Sequence, residues 1–245
     1  MKIALIGYGK MGQAIENVAL KAGHTIVSRV HANDDIQLGL KGADVAIEFT
    51  NPDSAKSNIL QCFEAKVPVV VGTTGWYAHF DELKHIAETN AHSLFYASNF
   101  SLGVNIFFEL NKQLATLLNP HAMYNPTMEE IHHTQKKDAP SGTAITLAEG
   151  LISNLDRKKT WVNRELSNNS LNNEFELEII SKRISEVPGT HSITYKSDID
   201  EITITHQAYN RMGFAIGAIK AAEWIRGKIG VYTMADLLGF ENKHS

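Results

Sequence analysis

The sequence predicts an α/β protein in two parts: a Rossmann-type, doubly wound parallel sheet, followed by an α+β domain with a mostly antiparallel sheet. Three observations lead there. Short apolar runs alternate with helical patterns through roughly the first hundred residues, and a Gly-x-Gly-x-x-Gly loop joins the first run to the first helix. Beyond about residue 120 a strict two-residue alternation takes over.

Residues 3–6, 25–30, 45–49, 67–71 and 93–96 are short apolar runs and read as strands. Between them, residues 11–22, 53–65, 79–89 and 101–118 repeat apolar positions at helical spacing and are long enough to cover a sheet face. Strand-helix-strand order with right-handed crossovers makes the sheet parallel and places helices on both faces. Later, Glu174-Phe175-Glu176-Leu177-Glu178-Ile179 and Glu201-Ile202-Thr203-Ile204-Thr205 alternate polar with apolar, the pattern of strands with one wet and one dry face. The Ser- and Asn-rich segment 167–173 is too polar to bury and reads as a surface loop. Residues 214–226 return to helical spacing, with Ala215, Ile219, Ala222 and Ile225 on one face.

With 245 residues, 43% of them hydrophobic, the chain can form a sizeable core in one large or two modest domains. A formal charge of −4 advertises no basic face, which argues against a nucleic-acid partner. The single cysteine, Cys62, cannot form an intrachain disulfide. The N-terminal apolar run breaks at Gly7, too early for a signal peptide, and no run approaches the ~18 residues of a membrane span. A cytoplasmic protein without membrane partners is expected.

In Gly7-Tyr8-Gly9-Lys10-Met11-Gly12, Gly7 permits the tight turn, Gly9 lets backbone approach a pyrophosphate, and Gly12 lets helix pack close to strand. The alternative is a tight turn with no ligand, in which Lys10 is a solvated charge. No acid ends the second strand before Asp34; Arg29 and His31 stand there instead, to meet a 2′-phosphate or simply as surface. Gly72-Thr73-Thr74-Gly75 and Ala97-Ser98-Asn99-Phe100-Ser101 follow two further strands at their carboxyl ends, where open α/β sheets bind ligands. Each alone could be turn chemistry, with Ser101 as a helix N-cap.

The stretch Glu130-Ile131-His132-His133-Thr134-Gln135-Lys136-Lys137-Asp138-Ala139-Pro140-Ser141-Gly142-Thr143 gathers proton-transfer groups, an ammonium and a helix start. Ser141 is placed as an N-cap, Gly142 gives room at the backbone, and the free amides of that first turn suit a carboxylate or phosphate. Histidine can release a proton near neutrality, while lysine stabilises negative charge. The bland alternative is a polar capped loop with surface histidines. A metal site built from His132, His133, His191 and His206 is not expected: adjacent histidines on a strand point to opposite faces, and no Cys or Glu completes a set at recognisable spacing.

Taken together, these segments, with Glu48-Phe49-Thr50, Gly189-Thr190-His191 and Arg211-Met212-Gly213-Phe214-Ala215, resemble the 4-hydroxy-tetrahydrodipicolinate (dihydrodipicolinate) reductase family of lysine biosynthesis over nearly the whole chain. The resemblance implies hydride transfer from NADH or NADPH to a cyclic imine dicarboxylate, with loss of water and protonation of the adjacent carbon. It implies His132 as general acid, Lys136 as paired proton donor and carboxylate holder, and His133, Ser141, Gly142 and Thr143 as substrate contacts. Cofactor contacts would be Gly7, Tyr8, Gly9, Lys10, Met11, Gly12, Gly72, Thr73, Thr74, Ala97, Ser98, Asn99 and Phe100. It also implies a nucleotide domain of residues 1–104 completed by 211–245, a substrate domain of 105–210, and a homotetramer joined through the second domain's sheets. His31-Ala32 replaces the acid-base pair usual after the second strand, which leaves the choice of dinucleotide open. The segment 185–188 also departs from the commoner pattern. Two other readings are a sugar or aldehyde dehydrogenase, whose Glu-Lys-Pro after the fifth strand is here Ala97-Ser98-Asn99-Phe100, and a nucleotide-sensing protein without turnover.

Overall fold

The computed structural model describes residues 1–164 and 173–240, so most of the Ser- and Asn-rich segment lies outside the described residues. The chain divides into two compact units, Met1–Asn105 joined by the residues from Met212 on, and Ile106–Arg211. The first unit opens with β1 (Lys2–Ile6), α1 (Lys10–Lys21), β2 (Thr25–Val30), α2 (Ile36–Gly39), β3 (Val45–Glu48), α3 (Pro52–Glu64), β4 (Val69–Val71), α4 (Phe80–Thr89) and β5 (Ser93–Tyr96). Helix α5 (Leu102–Leu118) begins in this unit and continues in the second, which adds β6 (Asn125–His132), α6 (Gly142–Ile152), β7 (Thr160–Arg164), β8 (Glu176–Arg183), β9 (Gly189–Lys196) and β10 (Glu201–Ala208). The chain then returns to the first unit with α7 (Met212–Ile225), β11 (Gly230–Tyr232) and α8 (Met234–Leu238).

In the first unit all six strands are parallel, in the order β11-β5-β4-β3-β1-β2. Successive strand residues point to opposite faces, so each strand feeds two cores. Ile3, Leu5, Val45, Ile47, Val70 and Phe95 meet α1 and α7 on one side. Ala4, Ile6, Ala46, Val69, Val71 and Leu94 meet α3 and α4 on the other. Burial of each large apolar side chain contributes roughly 1.5–3 kcal/mol, which is why these strands are apolar throughout rather than alternating. Local chemistry sets the helix starts: the Asn51 side chain accepts the Ser54 N–H ahead of Pro52, and Thr233 with Asp236 forms a capping box on α8.

The second unit's sheet runs β10-β9-β6-β8-β7. β9 pairs antiparallel with β10 on one side and β6 on the other, while β8 joins β6 in parallel and β7 joins β8 in parallel. Alternation in β8 therefore records one-sided burial, not the direction of its neighbours. Met128, Leu177, Ile179, Ile193 and Tyr195 pack under α5 and α6. The opposite face is exposed and carries the hydroxyl pairs Ser192–Thr205 and Thr194–Thr203, each at 2.9 Å.

Helix α7 lies so close to the loop after β5 that a Cβ at Gly217 would be 1.7 Å from the Phe100 carbonyl oxygen. Gly217→Ala must move backbone against backbone and is expected to cost ~1–3 kcal/mol or more. Gly9→Ala, where a Cβ meets nothing within 4 Å, is expected to stay within about 0.5 kcal/mol. Urea unfolding of the two variants checks the contrast; equal stabilities would place α7 further from the loop.

Candidate active site

The glycine loop turns at Gly7, whose φ of +91° an L side chain rarely adopts. A Cβ there would lie 2.1 Å from the Phe49 carbonyl oxygen, and one on Gly72 would lie 2.0 Å from the Phe49 ring. Both glycines thus make room for Phe49, at the end of the strand between theirs, a residue the loop motifs alone did not single out. A Cβ on Gly12 would lie 2.4 Å from the Gly7 carbonyl oxygen, whereas Gly9 is exposed and borders open space. An exposed, side-chain-free backbone at the start of α1 fits a pyrophosphate. Tyr8 and Met11 are half-buried and Lys10 is exposed.

The loops after β3 and β4 are tied together by a buried carboxylate. Glu48 is fully buried and accepts from the Thr50 hydroxyl and, at 3.1 Å, from Asn58 Nδ2; the Thr50 amide donates to Thr73 Oγ1 at 2.7 Å. Its other oxygen makes no hydrogen bond. Burial pushes the Glu48 carboxyl above the usual carboxylate range, with the hydrogen bonds from Thr50, Thr73 and Asn58 opposing. Of the residues after β5, Ala97 and Asn99 are buried and Ser98 is exposed. The Phe100 ring belongs to the core, 5.7 Å from the Phe49 ring and 5.9 Å from that of Phe95.

At the end of β2, Arg29 is already engaged. Its guanidinium pairs with the largely buried Glu16, Nε at 3.0 Å, and lies 5.8 Å from the Tyr8 ring centre, while the Tyr8 hydroxyl donates to the same carboxylate. The hydrogen bonds from Arg29 and Tyr8 hold Glu16 below its ordinary pKa. His31 meets the edge of Tyr8 at 5.7 Å, and Asp34 accepts the His31 amide at 2.8 Å.

In the second unit, Glu130 and His132 are two apart on β6 and point inward together, as Gly189 and His191 do on β9. Register places Glu130 opposite His191, and His132 beside Arg183 of β8. Glu130 is wholly buried; both its oxygens accept the Ser141 amide, at 3.2 and 3.1 Å, and Oε1 faces the Arg183 guanidinium at 3.3 Å. His132 Nδ1 lies 3.3 Å from Oε2, at ion-pair distance but without the alignment of a full hydrogen bond. Ser141 caps α6 by accepting the Ala144 amide at 3.2 Å, and its hydroxyl is 3.2 Å from His191 Nε2. A Cβ on Gly142 would meet nothing within 4 Å, so the helix start is open. Thr143 follows it, half-buried. His133 lies just past β6, with its Nδ1 buried and without a hydrogen-bond partner. Lys136 Nζ is held by both Asp138 oxygens, at 2.9 and 2.8 Å.

Burial would raise Glu130, but the adjacent His132 ring and the hydrogen bonds from Ser141 outweigh it and hold the carboxyl far below the usual range. Burial first, and the neighbouring His132 second, push His191 down to about 4. Glu130, His132 and His191 bring one ligand atom each within 4.8 Å of one another, so the fold supplies the Glu that spacing did not. The Arg183 guanidinium and the Ser141 amide already occupy that carboxylate, and a cation beside it opposes a second one, so the trio suits hydrogen bonding better than a metal. Glu130 as a partner of His132, and Arg183 altogether, escaped the sequence reading; polar residues at the inward positions of a strand were the available signal.

Residues 1–100 match the model of the dihydrodipicolinate reductase N-terminus, and residues 103–238 that of its C-terminus. The 4-hydroxy-tetrahydrodipicolinate reductase of Christiangramia forsetii is 46% identical over 241 residues, 97% of this chain and 98% of that one. The enzyme of the same name from Neisseria meningitidis serogroup B is 33% identical, over 93% of this chain and 85% of its own. Among solved structures, the dipicolinate-bound dihydrodipicolinate reductase of Paenisporosarcina sp. TG-14 shares the fold at a TM-score of 0.77 and 21% identity, covering 96% of this chain and 98% of that one.

The buried cluster makes stability pH-dependent. Between about pH 6.5 and 4 the unfolded chain takes up a proton at His191 that the folded chain refuses, so stability falls as pH drops through that window. Glu130, ionised when folded, adds a further loss as pH falls below about 4.5. Urea midpoints between about pH 7.5 and 5 should fall less steeply in His191→Gln than in the parent; an identical slope would show that His191 titrates as freely folded as unfolded.

Proposed function

This chain belongs to the dihydrodipicolinate reductase family, whose reaction is the nicotinamide-dependent reduction of 4-hydroxy-tetrahydrodipicolinate on the route to lysine, and from that premise we propose how its residues divide the work. The dinucleotide supplies the hydride. Gly7, Tyr8, Gly9, Lys10, Met11 and Gly12 hold its pyrophosphate end, with Gly72, Thr73, Thr74, Ala97, Ser98, Asn99 and Phe100 as the further contacts. The open backbone at Gly9 supports the first assignment.

In the second unit Ser141, Gly142 and Thr143 receive a carboxylate of the cyclic imine at the start of α6, where the exposed Gly142 backbone and the helix dipole favour an anion. His133 contacts the same substrate. His132 delivers a proton to the carbon beside the one that accepts hydride, and Lys136 holds the second carboxylate and backs the proton donor. The substrate carboxylate then competes with Asp138 for the Lys136 ammonium. The observation that carries the reading is His132 itself: an inward imidazole on β6, set against a buried carboxylate and next to the helix start that would hold the anion. Homotetramer assembly through the exposed face of the second sheet, and work in the cytoplasm, complete the proposal. Among the described residues no helix is long and apolar enough to cross a membrane.

His132→Ala is expected to lower kcat by ~10²–10⁴-fold. Dinucleotide affinity, measured by fluorescence titration, should stay unchanged. Near-parental turnover would remove His132 from the chemistry, and absence of turnover in the parent itself would favour a nucleotide-sensing protein. Lys136→Ala is expected to raise KM for the imine as well as lower kcat, because the ammonium serves ground and transition states alike.

Both NADH and NADPH are expected to bind within about tenfold of each other, roughly 1.4 kcal/mol. Glu16 neutralises the one arginine at the end of β2, and β2 itself carries no acid to meet a ribose diol. Dissociation constants for the two at about pH 6 and 8 check this; a large preference for NADPH at both would show that Arg29 exchanges Glu16 for a phosphate.

A further inference from the structure

We infer that Glu130 is a positioning residue for His132: it fixes which ring nitrogen carries the exchangeable proton and, through the Ser141 amide, locks that histidine to the helix start that binds the substrate anion. The inference rests on His132 being the proton donor.

A wholly buried carboxylate is retained only if donors surround it. Polar groups from four elements surround Glu130: His132 on its own strand, the Ser141 amide ahead of α6, Arg183 of β8 and, further off, His191 of β9. The two histidines are not equivalent. His191 Nε2 has its own partner in the Ser141 hydroxyl, 3.2 Å away. At 3.8 Å from Glu130, that nitrogen offers the carboxylate nothing. His132 Nδ1, 3.3 Å away, is the ring nitrogen that gains from carrying its hydrogen toward Glu130.

With Nδ1 committed, Nε2 becomes the working end of His132. It faces Gly189, where a Cβ would lie 3.1 Å from Nε2 and crowd the ring. The charged and titratable groups around the imidazole are Glu130 and His133 from its own segment, Lys136 and Asp138 from the following turn, Arg183 of β8, His191 of β9, and His206 of β10 beyond it. Arg183 opposes a positive imidazole, and the buried carboxylate against Nδ1 is what offsets it.

Glu130→Gln retains an acceptor for Ser141 and removes the charge. It is expected to lower kcat ~10–100-fold, the range seen when an outer partner of a working histidine is lost. KM for the imine should change little, and the alkaline limb of the kcat profile should move to lower pH, because the imidazolium loses its counter-charge. A variant with parental kcat and an unmoved limb would overturn the inference while leaving the His132→Ala result, and with it the proposed function, intact. Glu130→Gln also strands Arg183, so the unmodified enzyme carries a parallel test. ¹⁵N NMR of histidine-labelled protein should show neutral His132, assigned by its loss in His132→Ala, as the Nδ1–H tautomer. An Nε2–H tautomer there would overturn the inference whatever the variant does. Gly189→Ala should lower kcat with dinucleotide affinity unchanged, and parental kcat in that variant would remove the crowding argument for Nε2.

Discussion

A carboxylate with no exposed surface has to be met by hydrogen-bond donors, and the way Glu130 is met arranges the second unit around it. The Ser141 amide reaches back to it and anchors the first turn of α6. Arg183 spans from Glu130 to the Asp138 carbonyl, so the polar turn between β6 and α6 is held at both ends. Breaking such a set by removing one partner typically costs about 3–5 kcal/mol, because a charge is left buried alone. The cluster therefore provides rigidity more than net stability. It holds an imidazole at a fixed place relative to a helix start.

The first unit reaches precision by the opposite means, leaving side chains out instead of filling space with polar ones. Gly7 and Gly72 lack the atoms that would strike Phe49, and Gly217 lacks the one that would strike the Phe100 carbonyl. Backbone is thereby brought to the carboxyl ends of β1, β4 and β5 with little in front of it. A dinucleotide is mostly phosphate and ribose, and backbone amides recognise both without needing a particular side chain.

This difference explains what could be read beforehand. The strands β1, β3, β4 and β5 declare themselves because buried parallel strands are nearly continuous apolar runs, and the glycine loop declares itself because its first residue needs a positive φ. Ser141 was legible as a cap from its place before α6. By contrast β6 and β9 were hidden. Their inward positions include Pro126, Glu130 and His132 on one, and Gly189 and His191 on the other, so the apolar alternation that marks a half-buried strand is interrupted where the chemistry lies. The three-residue β11 is too short to carry any period. The Arg29–Glu16 pair was also out of reach, since nothing in the spacing of an α1 glutamate and a β2 arginine says that they neutralise each other.

The edge strand β11 and the helix α7 have a consequence for synthesis. Strands β1 to β5 of the parallel sheet are encoded before the second unit, yet α7, which supplies Ala215, Ala218, Ile219, Ala222 and Ile225 to one of its two cores, is encoded after the whole of that unit. At ~5–20 residues per second, one apolar face waits on the order of ten seconds for its cover. During that interval the nascent chain presents Ile3, Leu5, Val45, Ile47, Val70 and Phe95 with only α1 to shield them. A chaperone that masks exposed apolar surface is expected to serve this face until α7 arrives, and α7 is then the latch that ends the need for one.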